Sequence, residues 1–443
     1  MKNIFSAILV SVMLLGSTGA MAAEKAAESA AQKTTVKQEF KNNFKFYGFI
    51  RNYFTYDQRE TVSGTGNLFN YMPKDQALNA NGEDMNAVSS FRFLALTSRL
   101  GVDVSGYQWG SAHFGAKVEG DFYSGLSGST GTAAARLRQA YVTIGWKDLP
   151  MAGEQKANVS LKIGQAWHPM AADFPDVFSL ENGAPFGPFS RTPQVTMAAG
   201  LGKNWIITGS ALWQQQYTSM GPAGSSADYI KYSLTPEAYA GVTYKNGGFV
   251  GTLGVDMLSI KPRTYGQDPK SGAKIFVDDR ITTVSTFAFL QYSKDKFRVK
   301  AKTIIAQAGE HMTLNSGYAK VAELEDGSWE YAPIRNSSSW MSLSYGKKWQ
   351  GVLFLGYVKN LGLANEAVNT PEIYFSKNSF SNMNQMYRIN PEVLFNAGKF
   401  TLGLEYQWTA VQYGDNINKF GLAKDNLRWI GSSRIQSMIK FTF

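Results

Sequence analysis

Of 443 residues, 44% are apolar, 14% aromatic and only 18% charged, with 43 Gly, no Cys and a formal net charge of +10. The charged share lies below the ~25% usual for soluble globular chains, and the aromatic content excludes intrinsic disorder. A mean hydropathy of −0.23, with no apolar run approaching ~20 residues, excludes a bundle of transmembrane helices.

Residues 1–22 read as a secretory signal. Lys2 gives the charged start, Ile4 to Leu15 the apolar run, and Ala20-Met21-Ala22 a small-x-small cleavage site. No Cys follows, so lipidation there is not expected. Residues 23–42 form a periplasmic N-terminal extension, with Ala at helical spacing between charges in Ala23 to Ala31. A short coiled coil and a flexible linker both fit it.

From residue 43 to 443 the period becomes two, and the expected fold is all-β: a transmembrane antiparallel β-barrel. In Leu94 to Val104, Leu94, Leu96, Leu100, Val102 and Val104 oppose Thr97, Arg99 and Asp103. In Ala112 to Tyr123, Phe114, Ala116, Val118 and Phe122 oppose His113, Lys117, Glu119, Asp121 and Tyr123. Phe297, Val299 and Ala301 oppose Arg298, Lys300 and Lys302, so a one-residue slip puts three cations into lipid. The cleanest case is Phe400 to Val411, where Phe400, Leu402, Leu404, Tyr406 and Trp408 alternate with Thr401, Gly403, Glu405, Gln407 and Thr409. Ile281 to Tyr292 does not alternate cleanly. The chain finishes on Ile439-Lys440-Phe441-Thr442-Phe443, an alternating strand with a terminal Phe, of the kind outer-membrane assembly machinery recognises.

Runs starting near residues 44, 91, 111, 136, 159, 194, 205, 233, 249, 281, 297, 338, 351, 387, 400 and 432 give about sixteen strands. Short connections such as Gly202-Lys203-Asn204 and Asn246-Gly247-Gly248 alternate with long polar stretches, and these set the expected orientation of short periplasmic turns and long extracellular loops. The long stretches are Asp57–Ser89, His168–Pro193, Pro262–Asp279, Gly309–Ser337, Leu361–Met386 and Tyr413–Ile430. Sixteen strands enclose an aqueous channel rather than a packed core, and no length is left for a separate plug domain.

The third loop, 168–193, holds five of the 14 Pro together with Asp173, Asp176, Glu181 and Arg191. That Pro density stiffens it. Folded inward, its three acids would face cations on the wall. Inward-facing cations are Arg99, Lys117, Arg298, Lys300, Lys302 and Arg434, and inward acids include Asp103, Glu119, Asp121, Asp256 and Glu405. Arg136 and Arg138 lie at the outer rim if Val142, Ile144 and Trp146 face lipid in unbroken phase, or in the constriction if the phase breaks near Ala140. Arg51 is ambiguous in the same way. Fixed cations favour anions, and opposing acids make a transverse field. Pairing that merely keeps the lumen wet remains the alternative.

Catalysis is not expected. His113, His168 and His311 are the only histidines and are scattered, and no motif calls for a cofactor or metal. The positive charge fits a basic rim against lipid and lipopolysaccharide, and no nucleic-acid partner is called for.

Phe46-Tyr47-Gly48-Phe49-Ile50-Arg51, Thr97-Ser98-Arg99-Leu100-Gly101-Val102, Lys117-Val118-Glu119-Gly120-Asp121-Phe122, Arg136-Leu137-Arg138-Gln139-Ala140-Tyr141, Ile163-Gly164-Gln165-Ala166-Trp167 and Arg191-Thr192-Pro193-Gln194-Val195 follow one another in this order. In this the chain resembles the DcaP-like family of bacterial outer-membrane porins, including its relatives in Bacteroidetes. The resemblance implies a sixteen-stranded homotrimer in the Gram-negative outer membrane, with an inward-folded third loop. It also implies passive uptake of small anionic solutes such as dicarboxylates. The short N-terminal extension and the acidic third loop depart from that pattern. Two other readings stay open: a plugged transporter of hydrophobic compounds, and a closed barrel serving as a surface receptor or adhesin.

Overall fold

The computed structural model describes residues 43–123, 134–151 and 155–443, so the signal and the N-terminal extension lie outside the described residues. The chain runs up and down as β1 (Phe44–Asp57), β2 in two pieces (Ser90–Leu94 and Arg99–Trp109), β3 (Ala112–Tyr123), β4 (Ala134–Pro150) and β5 (Lys156–Trp167). Next come β6 (Arg191–Leu201), β7 (Trp205–Leu212), β8 (Glu237–Asn246), β9 (Phe249–Ile260), β10 (Ile281–Lys294) and β11 (Phe297–Gln307). The circuit continues through β12 (Trp329–Gly346), β13 (Trp349–Leu363), β14 (Met383–Ala397), β15 (Phe400–Ile417) and β16 (Ala423–Thr442). Each strand pairs antiparallel with the next, and β16 closes on β1 from Phe49↔Thr442 to Asp57↔Arg434. The described residues thus form a closed sixteen-stranded barrel.

Alternation decides which side chains face out. On β15, Phe400, Leu402, Leu404 and Tyr406 are exposed outward, while Glu405, Gln407 and Thr409 are buried inside. On β11 the register that turns Phe297 and Ile305 outward keeps Arg298, Lys300 and Lys302 inside. A slip there would cost roughly 2–4 kcal/mol for each cation carried to the middle of a hydrocarbon layer. β10 alternates by side although not by chemistry. Phe287 and Phe289 occupy inner positions, and the Lys302 ammonium sits 4.5 Å over the Phe287 ring.

Two breaks of phase could not be placed from composition. β2 is interrupted at Thr97, whose φ is +71°. Before the break Phe91 and Phe93 point outward; after it Leu100 does. Leu94 and Leu96 therefore turn inward and pack on the first loop, against the outward placement expected for them. On β4 a register shift opposite Glu119/Gly120 brings both Arg136 and Arg138 inside, with Val142 facing outward below it.

The loop end departs from expectation in three places, the first being that β12 begins at Trp329, within the stretch Gly309–Ser337 expected as loop. The stretch Tyr413–Ile430 is not a long loop: β15 and β16 continue to Ile417 and Ala423, leaving only 418–422. Toward the tip these strand ends carry Asp415, Asn416, Lys424, Asp425 and Asn426, so only Leu427 and Trp429, set against Asn426 and Arg428, marked a strand there. Conversely, 213–236 is a long connection containing a short helix, α1 (Asp228–Ser233). The upper interior is also not simply aqueous. Leu68, Phe69 and Met72 of the first loop (58–89), Phe178, Phe186 and Phe189 of the third, and Met312 of the sixth (308–328) pack with inner-wall side chains into one apolar cluster.

Candidate functional site: the lumen and its third loop

Residues 168–190 leave β5 at Trp167 and make contacts on the inner face of distant strands. The Tyr53 hydroxyl on β1 donates to the Phe178 carbonyl at 2.9 Å, and the Phe178 amide donates to Glu392 Oε2 on β14 at 3.2 Å. Phe186 packs on Phe354 with ring centroids 5.9 Å apart. Two glycines make room for this loop. A Cβ on Gly356 would stand 2.5 Å from the Phe186 ring, and one on Gly403 would stand 2.9 Å from the Phe178 ring.

The loop's acids meet wall cations. Asp176 accepts from Lys300 at 2.7 Å, from Arg298 at 3.3 Å and from the Ser344 hydroxyl at 3.0 Å. Lys300 also donates to the Phe174 carbonyl at 2.9 Å. Lys302 lies beneath the loop with a fully buried side chain, donates to the Met170 carbonyl and stands 3.9 Å from Asp173. Glu181 pairs with Arg388 at 3.4 Å and accepts from Gln407 at 3.1 Å. Its burial holds the carboxyl up to about 6. The β11 cations, expected to meet solute, are thus spent on the loop, and only Arg298 keeps a half-exposed side chain.

Arg388 was not anticipated, although it stands between outward Tyr387 and Ile389 in a readable alternation. It donates to Thr409 at 2.8 Å and to the Asn70 and Tyr71 carbonyls at 2.7 and 2.9 Å. Arg434, expected to line the pore, is buried in the same manner, paired with Asp57 at 2.6 Å and donating to the Leu68 carbonyl at 3.0 Å. These two arginines hold the first loop inside the barrel. Arg191 is fully buried at the start of β6, lies 4.8 Å over the Trp167 ring and donates to the Tyr217 hydroxyl at 3.1 Å.

Across the barrel the balance of charge differs. β3 and β11 stand eight strands apart in a ring of sixteen, so they are diametrically opposed. Arg138 donates to Glu119 and to Asp121, each at 2.8 Å; Arg136 joins Asp121 at 2.8 Å, and Arg99 lies 3.6 Å from Glu119. Lys117 pairs with Asp103 at 2.7 Å. Arg51 points inward and donates to Thr97 Oγ1 at 3.0 Å. Its guanidinium and that of Arg99 flank the Phe49 ring at 4.7 and 5.0 Å, and Lys440 stands directly opposite it on β16. Like charges opposed across a ladder destabilise it by up to about 1 kcal/mol, so nothing in the fold asks for the pair Arg51 and Lys440. With β16, this half turns inward Arg51, Arg92, Arg99, Lys117, Arg136, Arg138, Arg434 and Lys440 against the carboxylates Asp57, Asp103, Glu119 and Asp121, eight cations to four acids among these residues. The loop-bearing wall of β11, β14 and β15 sets Arg298, Lys300, Lys302 and Arg388 against Asp173, Asp176, Glu181, Glu392 and Glu405, four cations to five acids among these residues. A field therefore crosses the lumen from the β1–β4 wall toward the loop-bearing wall.

Beside the third loop lies a cavity of about 560 Å³, lined by Asp173 and Trp167 and by Lys162, Lys245, Gln139 and Gln291 of the inner wall. Lys162 and Lys245 were not assigned from the sequence although the alternation marks them: Val159, Leu161 and Ile163 alternate with Ser160 and Lys162, and Ala240, Val242 and Tyr244 with Thr243 and Lys245.

No family model matches the chain, and no curated protein does. Solved structures do. The outer membrane channel DcaP of Acinetobacter baumannii superposes over 90% of this chain and 97% of its own, at 16% identity and a TM-score of 0.59. The chain has the porin fold. An anion-selective porin from Comamonas acidovorans matches over 90% of this chain and 99% of its own, at 11% identity and a TM-score of 0.52. In-vitro folded OmpT of Vibrio cholerae matches at 12% identity, over 90% of this chain and 97% of its own, with a TM-score of 0.51. Within the porin fold described here, the strand number, the closure of β16 on β1 and the inward third loop set the size and charge of the lumen.

Proposed function

We propose that the chain is a passive porin of the Gram-negative outer membrane for small hydrophilic solutes, biased toward small anions such as dicarboxylates. One observation carries the reading: the third loop spends its acids on the β11 and β14 cations, while Arg51, Arg99 and Lys440 converge on the opposite wall with too few carboxylates to neutralise them. A solute with two carboxylates would be drawn to that wall and turned by the transverse field. The outward apolar face suits lipid and lipopolysaccharide, and the solved porins of similar fold include a trimer form. We accordingly assign the chain to a homotrimer exported by the signal at 1–22, without catalytic chemistry.

The apolar cluster inside the loop end favours a second reading, a barrel closed at that end and acting as a surface receptor. Proteoliposome swelling separates the two. The porin reading predicts faster entry of a small dicarboxylate than of a neutral sugar or a diamine of similar size. No entry of any solute into vesicles carrying folded barrel would leave the receptor.

A further inference from the structure

Two histidines absent from every lumen contact above meet two carboxylates at the root of the third loop. His168 follows β5 and caps the short turn Pro169–Ala171; His311 lies in the turn Glu310–Met312 of the sixth loop. Glu237 opens β8 and Asp256 lies on β9, both turned into the barrel. All four are buried, and one donor atom from each lies within 4.8 Å of the others. Glu237 Oε1 stands 2.7 Å from His311 Nε2 and 3.1 Å from His168 Nε2, and Asp256 Oδ1 stands 3.6 Å from His168 Nε2.

The ring partners assign the protons. His168 Nδ1 accepts from the Met170 amide at 3.1 Å, so its Nε2 carries the hydrogen and donates to Glu237. His311 Nδ1 stands 3.2 Å from the Ala308 carbonyl and donates to it, so in the neutral ring the Nε2 lone pair points at a carboxylate oxygen. Two lone pairs at that separation repel unless a cation lies between them. Glu237 Oε2 and Asp256 Oδ1 are moreover buried with no hydrogen-bond partner, and among the described residues no Lys or Arg forms an ion pair with either carboxylate. The unpartnered Glu237 Oε2 and Asp256 Oδ1 thus stand beside His311 Nε2 as free donor atoms in one buried pocket.

We propose that His311 Nε2, Glu237 and Asp256 bind one divalent transition-metal ion of the zinc class, with His168 holding Glu237 in place. A mixed nitrogen and oxygen donor set suits zinc, cobalt or nickel better than calcium or magnesium. Tetrahedral bonds of ~2.0–2.1 Å set donor atoms roughly 3.3 Å apart, between the closest and widest separations seen here. The Nδ1 hydrogen on a backbone carbonyl is the usual outer support of a metal-bound imidazole. The ion would clamp the third and sixth loops to β8 and β9, where the Phe189 amide already donates to the Met312 carbonyl at 2.8 Å and Thr313 Oγ1 to the Phe189 carbonyl at 2.8 Å.

The test uses the full chain, refolded into detergent with Co²⁺ after chelator treatment, stripped of free ion by gel filtration, and checked for folding by heat-modifiable migration. We expect one Co²⁺ per chain with visible ligand-field bands that Zn²⁺ bleaches. His311→Gln and Asp256→Asn should abolish binding, His168→Gln should weaken it about 10–100-fold, and His113→Gln should leave it intact. If His311→Gln does not fold, X-ray absorption on the wild-type complex decides: one imidazole nitrogen in the shell is required. Folded wild type without stoichiometric metal, metal retained by folded His311→Gln, or an all-oxygen shell overturns the proposal.

Discussion

Replacing Asp176 by Ala removes the central clamp of the third loop. Its carboxylate is about one-seventh exposed and holds Lys300 at 2.7 Å, Arg298 at 3.3 Å and Ser344 at 3.0 Å. Removing one partner of a fully buried pair costs about 3–5 kcal/mol, whereas an exposed pair contributes about 0–1. Lys300 keeps the Phe174 carbonyl, and Arg298 is half exposed, so a loss of roughly 2–3 kcal/mol is expected, localised in the loop. At ~1.4 kcal/mol per factor of ten, loop opening becomes about 30- to 150-fold more frequent. The wall also gains one positive charge. In a planar bilayer, Asp176→Ala should show noisier open-channel current and a reversal potential shifted toward chloride. Asp176→Asn, which keeps the shape, should shift the potential with less added noise. Conductance, noise and selectivity all unchanged in Asp176→Ala would refute the assignment of this loop as the constriction.

Lys300→Glu sets an acid against Asp176 and should release the loop from the wall, making 168–190 cleavable by protease in the folded barrel; resistance equal to wild type would contradict this. Gly403→Val forces a side chain into the Phe178 ring and should lower stability by about 1–3 kcal/mol in urea titrations, the usual cost of overpacking. The Glu181 carboxyl is held up to about 6 by burial, against an ordinary 4.5. Between those values the folded chain retains a proton that the unfolded chain has lost, so stability should fall as pH rises from about 4.5 to 6 and level off above. The span is at most about 2 kcal/mol, and Glu181→Gln should flatten it; an unchanged slope in that variant would assign it elsewhere.

Period-two alternation made the barrel legible because each inner charge has a direct cost in lipid, as Arg298, Lys300 and Lys302 show. All sixteen strands could be placed, yet their ends could not where the strands rise beyond the apolar band, as at Tyr413 to Ile430. Phase breaks were equally hidden. Thr97 and the bulge beside Arg138 are backbone events, and no composition marks which residue absorbs the extra turn. The candidate site was half legible. The charges on β3 and β11 could be assigned from their neighbours and those on β4 could not, while which cations a loop consumes depends on contacts spanning more than a hundred residues, such as Asp176 with Lys300. The cluster of His168, Glu237, Asp256 and His311 was invisible for the same reason, since its members share no spacing.

The reversal potential of the wild-type barrel across a KCl gradient addresses the central claim most directly. Stepwise conductance with a potential displaced toward the chloride equilibrium value, and reduced in Arg51→Gln, is what the net-positive β1–β4 wall predicts. A folded barrel that conducts with a potassium-directed potential would contradict the anion bias, and one that conducts nothing would contradict the porin itself.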